Sequence, residues 1–429
     1  MVVWEVMTRL RNLITIALLS GKSVLLVGAP GVGKTKLAID VAAELTGAHP
    51  ILETGRSELT YELLTCFNEL REVKGHGDVL VKRLGSLGIA ILGTWLRIIE
   101  GKGPLWYVLD EVNRCNIEVA LGRVFTALDP EYYNIAVLPP DILDEEKLAE
   151  EDITVLANCL EVSVDRCKEL MVKLRNILGS RVCGIPIPRS FRIIGTMNVV
   201  DRAHLFKIGY ALSRRLIPIP VIPPYMKYDP GLDIENLIVQ LYDNFHLDKN
   251  SVFTSLQEYV EALVSKEVEF LTFRFTKSLL PEYDVPCLVR IEFDEVVKLL
   301  DRLRDTSSKL IESFAGIYAV ALNDLKIDLG VSILVDFISL LLARCISQNI
   351  ALVSVSDEAL LDLAIASLLL PQLSSLIPML KIEQFLGSSP RTIAFRNFMK
   401  FLENNFSSSS LTYRAAEAIM YELPSISSP

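Results

Sequence analysis

A chain of 429 residues is too long for one small core and points to two domains or three. Its residues are 51% hydrophobic and 22% charged, with a mean hydropathy of +0.37, so insertion into a membrane has to be tested first. A formal charge of −10 and a pI near 5.2 exclude non-specific nucleic-acid binding by the whole surface, although not a local basic pore or a basic partner.

Residues Val3–Leu19 read as an amphipathic helix stopped by Gly21. Arg9, Arg11 and the apolar run behind them mimic a secretion signal, but a phosphate loop begins at Gly28, and cleavage would strip that loop of its supporting helix. The run Ser23–Val27 is a short apolar strand feeding a glycine-rich turn, and Lys36–Leu45 resumes helical spacing. Further strands are predicted at Pro50–Glu53, Leu105–Leu109, Phe191–Gly195 and Leu216–Ile222, with helical patterns in most of the intervals. Buried strands alternating with helices imply a three-layer α/β/α core around a parallel sheet.

Between two of those strands lies an insertion, Leu138–Arg181. It opens on the acidic run DEEKLAEED and continues as helix, tight turn at Glu161–Ser163, second helix. That layout is shared by a helix-turn-helix and by a plain helical hairpin. Asp165 and Glu169, mixed among the basic residues of the second helix, favour the hairpin. The proline cluster LIPIPVIPPYMKYDP, Leu216–Pro230, cannot be helical and marks a boundary. The expected organisation is therefore a core over 1–222 and a mainly α-helical part over 223–429, with one ambiguous stretch at Val285–Phe293. The best candidate for a membrane span, Ala359–Leu380, has Asp362 as its only charge. It also carries Pro371 and Pro378 and lacks basic flanks on its N-terminal side, so a buried helix is expected and no membrane contact. The tail from Asn404 holds SSSS and is expected to end loosely. Seven cysteines without a C-x-x-C pair, and four histidines, fit a reducing cytoplasm and offer no zinc site.

Three segments carry chemistry. GAPGVGKT (Gly28, Ala29, Pro30, Gly31, Val32, Gly33, Lys34, Thr35) satisfies G-x-x-x-x-G-K-[ST] between a predicted strand and a predicted helix. Backbone N–H groups of such a loop converge on phosphates, Lys34 reaches the β- and γ-phosphates, and the Thr35 hydroxyl is a Mg²⁺ ligand. LWYVLDEVNR, Leu105–Arg114, is an apolar strand ending in two carboxylates at the rim where the loop sits. Asp110 is the second candidate for the Mg²⁺ shell and Glu111 the candidate general base. FRIIGTMNVVDR, Phe191–Arg202, ends its strand in Asn198, a water-orienting amide or a cap for the next helix. ALSRRL, Ala211–Leu216, offers Arg214 and Arg215, either as an arginine finger toward a neighbouring subunit's γ-phosphate or as surface residues.

The wording of these segments resembles one branch of AAA+ proteins, that of McrB, MoxR and dynein. DEVNR resembles the DEINR signature of the branch, and CNIEVALGRVFTALDP, IIGTMNVVDR and ALSRRL look like the McrB versions of the later segments. LRNLITIALLSGKSVLLVGAPGVGKT has the family's lead-in, while DLGVSILVDFI and LLDLAIASLLLPQL look like its helical-lid segments. The resemblance implies a homo-hexameric ring that hydrolyses ATP or GTP with Mg²⁺ at subunit interfaces. It also implies Asn198 as the sensor of the lytic water, Asp201 and Arg202 in the signature needed for stimulated hydrolysis, and a McrC-like nuclease partner through which DNA is met. Val199 and Val200 replace the usual Thr-Ala, Ser213 interrupts the arginine run, and Ser332 stands where an arginine is often seen. A DNA-reading N-terminal domain and a nuclease motif are not found ahead of or within the motor. The N-x-x-D spacing of Asn198 and Asp201 lacks the lysine of a guanine reader, so ATP is the expected nucleotide. Two alternatives stand beside the DNA-directed motor: a MoxR-like ATPase that remodels proteins, and a nucleotide-gated scaffold of low turnover.

Overall fold

A computed structural model describes residues 2–73, 77–128, 132, 135–179, 184–198, 210–223, 226–245, 247, 298, 307–327, 329–330, 332–385 and 390–423. In chain order its strands are β1 (Ser23–Gly28), β2 (Ile51–Thr54), β3 (Cys66–Val73), β4 (Gly77–Leu84), β5 (Tyr107–Asp110), β6 (Ala136–Leu138), β7 (Ile185–Pro186), β8 (Ile193–Asn198) and β9 (Leu216–Pro220). Five of them form one sheet in the order β2-β5-β8-β1-β9, with every pairing parallel. The apolar runs of β1, β5, β8 and β9 are largely buried on both faces, as in the interior of a parallel sheet, while the edge strand β2 leaves Leu52 46% exposed. Val24, Leu26, Ile217 and Ile219 point into one apolar cluster, and their neighbours Leu25, Val27 and Leu216 into another. Helices Val2–Leu19 and Lys34–Thr46 cover the first face, and Ser86–Ile99 covers the second. This is the three-layer core that the strand–helix alternation implies.

The interval after β2 departs from the helical expectation. Residues 66–84 form an antiparallel hairpin, β3 with β4, in which Leu70 and Leu80 are cross-strand partners exposed at 65% and 61%. Glu69 bridges Arg71 at 2.8 Å and Arg83 at 3.0 Å across the same ribbon. In CFNELREV the apolar residues Phe67, Leu70 and Val73 recur every three positions, a spacing that reads as helical rather than as a strand.

The insertion is pinched at its base by the small ribbon of β6 and β7. Its helices, Glu150–Leu160 and Val164–Leu178, turn on Glu161 (φ 57°), and Ser163 caps the second by accepting from Arg166 N–H. Leu156, Leu170 and Leu174 pack with Leu92 and Trp95 of the second face. Arg166 pairs with Glu100 (2.9 Å) and Glu169 (2.7 Å), Lys168 with Glu145 (3.5 Å), and Arg175 with Asp144 (3.8 Å). The unit is a helical hairpin clamped onto the core, with these basic side chains facing carboxylates.

Beyond the proline segment the described chain is helical, from Ile234–Phe245 to Leu411–Glu422. These helices do not build a separate core: Phe314, Leu340, Leu361 and Phe398 share one apolar cluster with Leu13, Ile14 and the first face of the sheet. Ala359–Leu380 is not one span but Asp357–Ala364, a π turn at Ile365–Leu369, Leu370–Ser374, and then a 45° bend into the next helix. Its Asp362 is fully buried and accepts from Leu411 N–H (2.9 Å), Thr412 N–H (2.7 Å) and Tyr228 O–H (3.0 Å), so it caps the last helix and ties down the proline segment. Burial pushes the Asp362 carboxyl above its ordinary pKa, while those donors oppose the shift. Among the described residues one helix, Ser332–Asn349, is long and apolar enough to cross a membrane, and 78% of it is buried within the fold. Ser410, last of the SSSS run, caps Leu411–Glu422 by accepting from Tyr413 N–H. Val285–Phe293 and residues 424–429 lie outside the described residues.

Candidate functional site

The phosphate loop follows β1 directly. Gly31 (φ 80°) and Gly33 (φ 89°) take left-handed conformations, and a Cβ at either would meet nothing within 4 Å. Glycine is needed there for the backbone turn rather than for lack of room. Val32 is buried and pins the loop to the first face, whereas Ala29, Pro30, Gly31 and Gly33 line an exposed rim. Helix Lys34–Thr46 begins under that rim and presents its unpaired N–H groups to it. The Lys34 ammonium folds back to donate to Gly28 O (3.0 Å) and Ala29 O (2.7 Å). Burial lowers its pKa, and Asp110 and Glu111 push it back up.

Strand register brings the other groups to the same rim. Gly28 is paired with Asn198 and Leu109 with Gly195, which sets Asp110 abreast of Thr196. Thr35 Oγ1 donates to Asp110 Oδ1 at 2.6 Å, and Thr196 Oγ1 donates to the same oxygen at 2.5 Å. Thr196 Oγ1 in turn accepts from the Glu111 N–H at 3.1 Å. Glu111 holds a left-handed backbone (φ 52°), a conformation that costs a residue with a Cβ roughly 1–3 kcal/mol and persists where the surroundings impose it. Its Oε1 accepts from Asn198 Nδ2 at 2.6 Å and its Oε2 pairs with Arg114 Nε at 2.7 Å. Each carboxylate oxygen has a second lone pair, so both contacts leave room to accept a proton from water.

Gly28 to Thr35, Asp110, Glu111 and Asn198 are thus brought together. Asp201 and Arg202, with Val199 and Val200, lie outside the described residues. Arg214 and Arg215 are not at this rim. Their helix, Tyr210–Arg215, ends where Leu216 pairs with Ser23, at the start of β1. Since β1 has six residues, roughly 16 Å of strand separates them from the loop. Arg214 is exposed, whereas the Arg215 guanidinium lies 4.7 Å over the Phe125 ring.

Two residues at the rim were not anticipated. Thr196 sits two residues before Asn198, on the same face of β8, so the strand period could have found it. Gly55, just past β2, donates its N–H to Asp110 O at 2.7 Å, and a Cβ there would lie 2.3 Å from Glu111 O. Only a glycine allows the backbone that carries the two acids to come this close.

Thr35 and Asp110 fit Mg²⁺: a hydroxyl and a carboxylate, both hard oxygen donors, converge beside a phosphate loop. Bound there, the ion would neutralise charge on the β- and γ-phosphates. Thr196 orients one of those donors, and outer partners of this kind are typically worth 10- to 100-fold in metal affinity. Thr196→Val, which keeps the shape and loses the hydroxyl, is expected to raise the Mg²⁺ concentration for half-maximal hydrolysis by about 10-fold or more. A magnesium titration of turnover checks this, and an unchanged midpoint would remove Thr196 from the metal shell.

Residues 23–216 match the family model described as AAA domain (dynein-related subfamily). The chain is 27% identical over 262 residues to a mitochondrial Lon protease homologue of Yarrowia lipolytica, covering 58% of this chain and 18% of that protein. A mitochondrial Lon protease homologue of Kluyveromyces lactis is 24% identical over 253 residues, covering 57% and 19%. The chain therefore spans about a fifth of the length of these curated relatives. A solved structure from Cytophaga hutchinsonii, described as a candidate ATPase, aligns over 95% of this chain and 94% of its own, with 13% identity and a TM-score of 0.38.

Proposed function

We infer from the AAA domain formed by residues 23–216, an ATP-binding and hydrolysing module, that this chain is a Mg²⁺-dependent motor that works as a ring. The observation that carries the hydrolytic reading is the continuous chain Thr35–Asp110–Thr196–Glu111–Asn198, which links the phosphate loop to a carboxylate and an amide. In the proposed reaction the loop N–H groups and Lys34 hold the β- and γ-phosphates. Asn198 and Glu111 orient a water, and Glu111 takes its proton as the water oxygen bonds to the γ-phosphorus. The bond to the bridging oxygen breaks, and ADP and phosphate leave.

Arg214 and Arg215 sit at the opposite rim from their own loop, so any γ-phosphate they touch belongs to a neighbour. We assign the finger to Arg214, which is exposed, and a packing role to Arg215, which lies over Phe125. Head-to-tail sites of this kind support the homo-hexamer implied by the McrB resemblance.

For the client, the McrB-like wording of DEVNR and IIGTMNVVDR supports a DNA-directed motor with a McrC-like nuclease partner. The two Lon relatives are named as proteases, which favours a second reading, the remodelling of proteins. Cys66, Cys115, Cys159, Cys167 and Cys345 are free thiols, in keeping with a cytoplasmic setting. Steady-state hydrolysis of ATP and GTP, with double-stranded DNA plus a McrC-like subunit or with an unfolded polypeptide, separates the readings. ATP turnover is expected to rise with the first addition. A rise with the polypeptide alone would overturn the DNA-directed reading, and a preference for GTP would overturn the choice of nucleotide.

A further inference from the structure

The arginine pair closes a helix whose described residues are Tyr210–Arg215. Its described end is held by polar contacts that lead to the helical part of the chain, and these set the direction of Arg214. Lys22, just ahead of β1, donates from Nζ to Arg214 O at 3.2 Å. The same ammonium pairs with Asp336 Oδ2 at 2.9 Å, and the two side chains are 7% and 11% exposed. One residue earlier in the helix, the buried Ser213 hydroxyl accepts from Gln372 Nε2 at 3.2 Å. Asp336 lies in Ser332–Asn349 and Gln372 in Leu370–Ser374, both in the helical part of the chain.

Gln372 is an unexpected choice for stability. It is buried, and its Oε1 has no hydrogen-bond partner among the described residues. A leucine there would fill the space with nothing to satisfy. Just ahead of Leu370–Ser374 comes the π turn Ile365–Leu369, whose extra residue rotates the succeeding turn by about 100°. The helix is thus re-phased just before the residue that meets Ser213. The serine that breaks the arginine run occupies the position that faces this amide.

We propose that Gln372 and Asp336 are positioning residues: they aim Arg214 at the neighbouring subunit's nucleotide and so couple the helical part of one chain to hydrolysis in the next. The proposal rests on the assignment of Arg214 as a finger acting between subunits. A guanidinium displaced by about 1 Å from a transferring phosphoryl group can lose on the order of 100-fold in rate.

The test uses the full-length chain. Gln372→Leu is expected to leave the thermal midpoint unchanged or raised, and to lower kcat at least about 10-fold with KM for ATP unchanged. A normal kcat overturns the proposal. Asp336→Asn should act in the same direction, but it strands Lys22, so Gln372→Leu carries the test if that variant unfolds. Mixing then separates the layers of the argument. Glu111→Gln subunits hold a dead site and an intact finger, so they should restore turnover to Gln372→Leu subunits and, as a control, to Arg214→Ala subunits. Rescue of both is the expected result. Rescue of Arg214→Ala alone overturns the role of Gln372 and leaves the finger standing. Rescue of Gln372→Leu alone, or of neither, removes Arg214 as the target and the proposal with it. Ser213→Ala combined with Gln372→Leu should cost no more than either change alone, and additive losses would show that the two act separately.

Discussion

Replacing Lys34 by alanine is expected to weaken ATP binding by roughly 100- to 1,000-fold, about 3–4 kcal/mol, as for the loss of one partner of a desolvated charge pair. The side chain is 5% exposed, and its ammonium sits against the carbonyls of Gly28 and Ala29, with Asp110 and Glu111 as the nearby charges. Polyphosphate arriving over the loop offers that cation a stronger partner than two neutral carbonyls. Lys34 is the one cation within Gly28–Thr35, so alanine leaves the loop itself only its backbone donors and the Thr35 hydroxyl to offer the nucleotide. Arginine should not rescue, because its planar fork is too large for the space between two carbonyls and a carboxylate pair. Titration with a fluorescent ATP analogue measures the effect. Affinity within about threefold of the unaltered chain would mean that the phosphates do not lie on this loop.

Glu111→Gln should separate binding from chemistry. Removing a general base costs about 100- to 10,000-fold in kcat, while the groups that hold the phosphates are untouched. Glutamine keeps an acceptor for Asn198 but loses its charge and cannot accept from Arg114 and Asn198 as the carboxylate does. Single-turnover hydrolysis with pre-bound ATP reads the chemical step directly. A rate near that of the unaltered chain would exclude Glu111 as the base, whatever its place at the rim.

The rim was legible in the sequence where its determinants are local. GAPGVGKT carries its own turn glycines and helix start, and LWYVLDE carries both a buried strand and the acids at its end. Thr196 was legible in principle, through the two-residue period from Asn198, but a threonine inside an apolar strand also reads as ordinary β-propensity. The β3–β4 hairpin is not legible because Phe67, Leu70 and Val73 recur at helical spacing, and its outward Leu70 and Leu80 do not mark a buried face. The placement of the arginines could not be read at all. It depends on the pairing of Ser23 with Leu216 and on partners such as Gln372, 159 residues from Ser213. The break at the proline segment was visible. That the helices beyond it would join Leu13 and Ile14 in one apolar cluster was not, because periodicity says which face of a helix is buried and not against what.

The opposite rims of the sheet also limit how copies of this chain can be arranged. A two-fold pair uses the same patch on both copies, so a patch confined to one rim would bring no arginine of one copy to the loop of the other. A polar, head-to-tail contact would join the loop of one copy to the proposed finger of the next, completing one site for each interface formed. Repeated without closure, such contacts give a filament in which the last subunit always lacks a donor. Repeated until they close, they give a cycle with as many finished sites as subunits. Under the proposed assignment of Arg214, closing the circle would be a kinetic event in its own right: it would be the step that removes the last idle site.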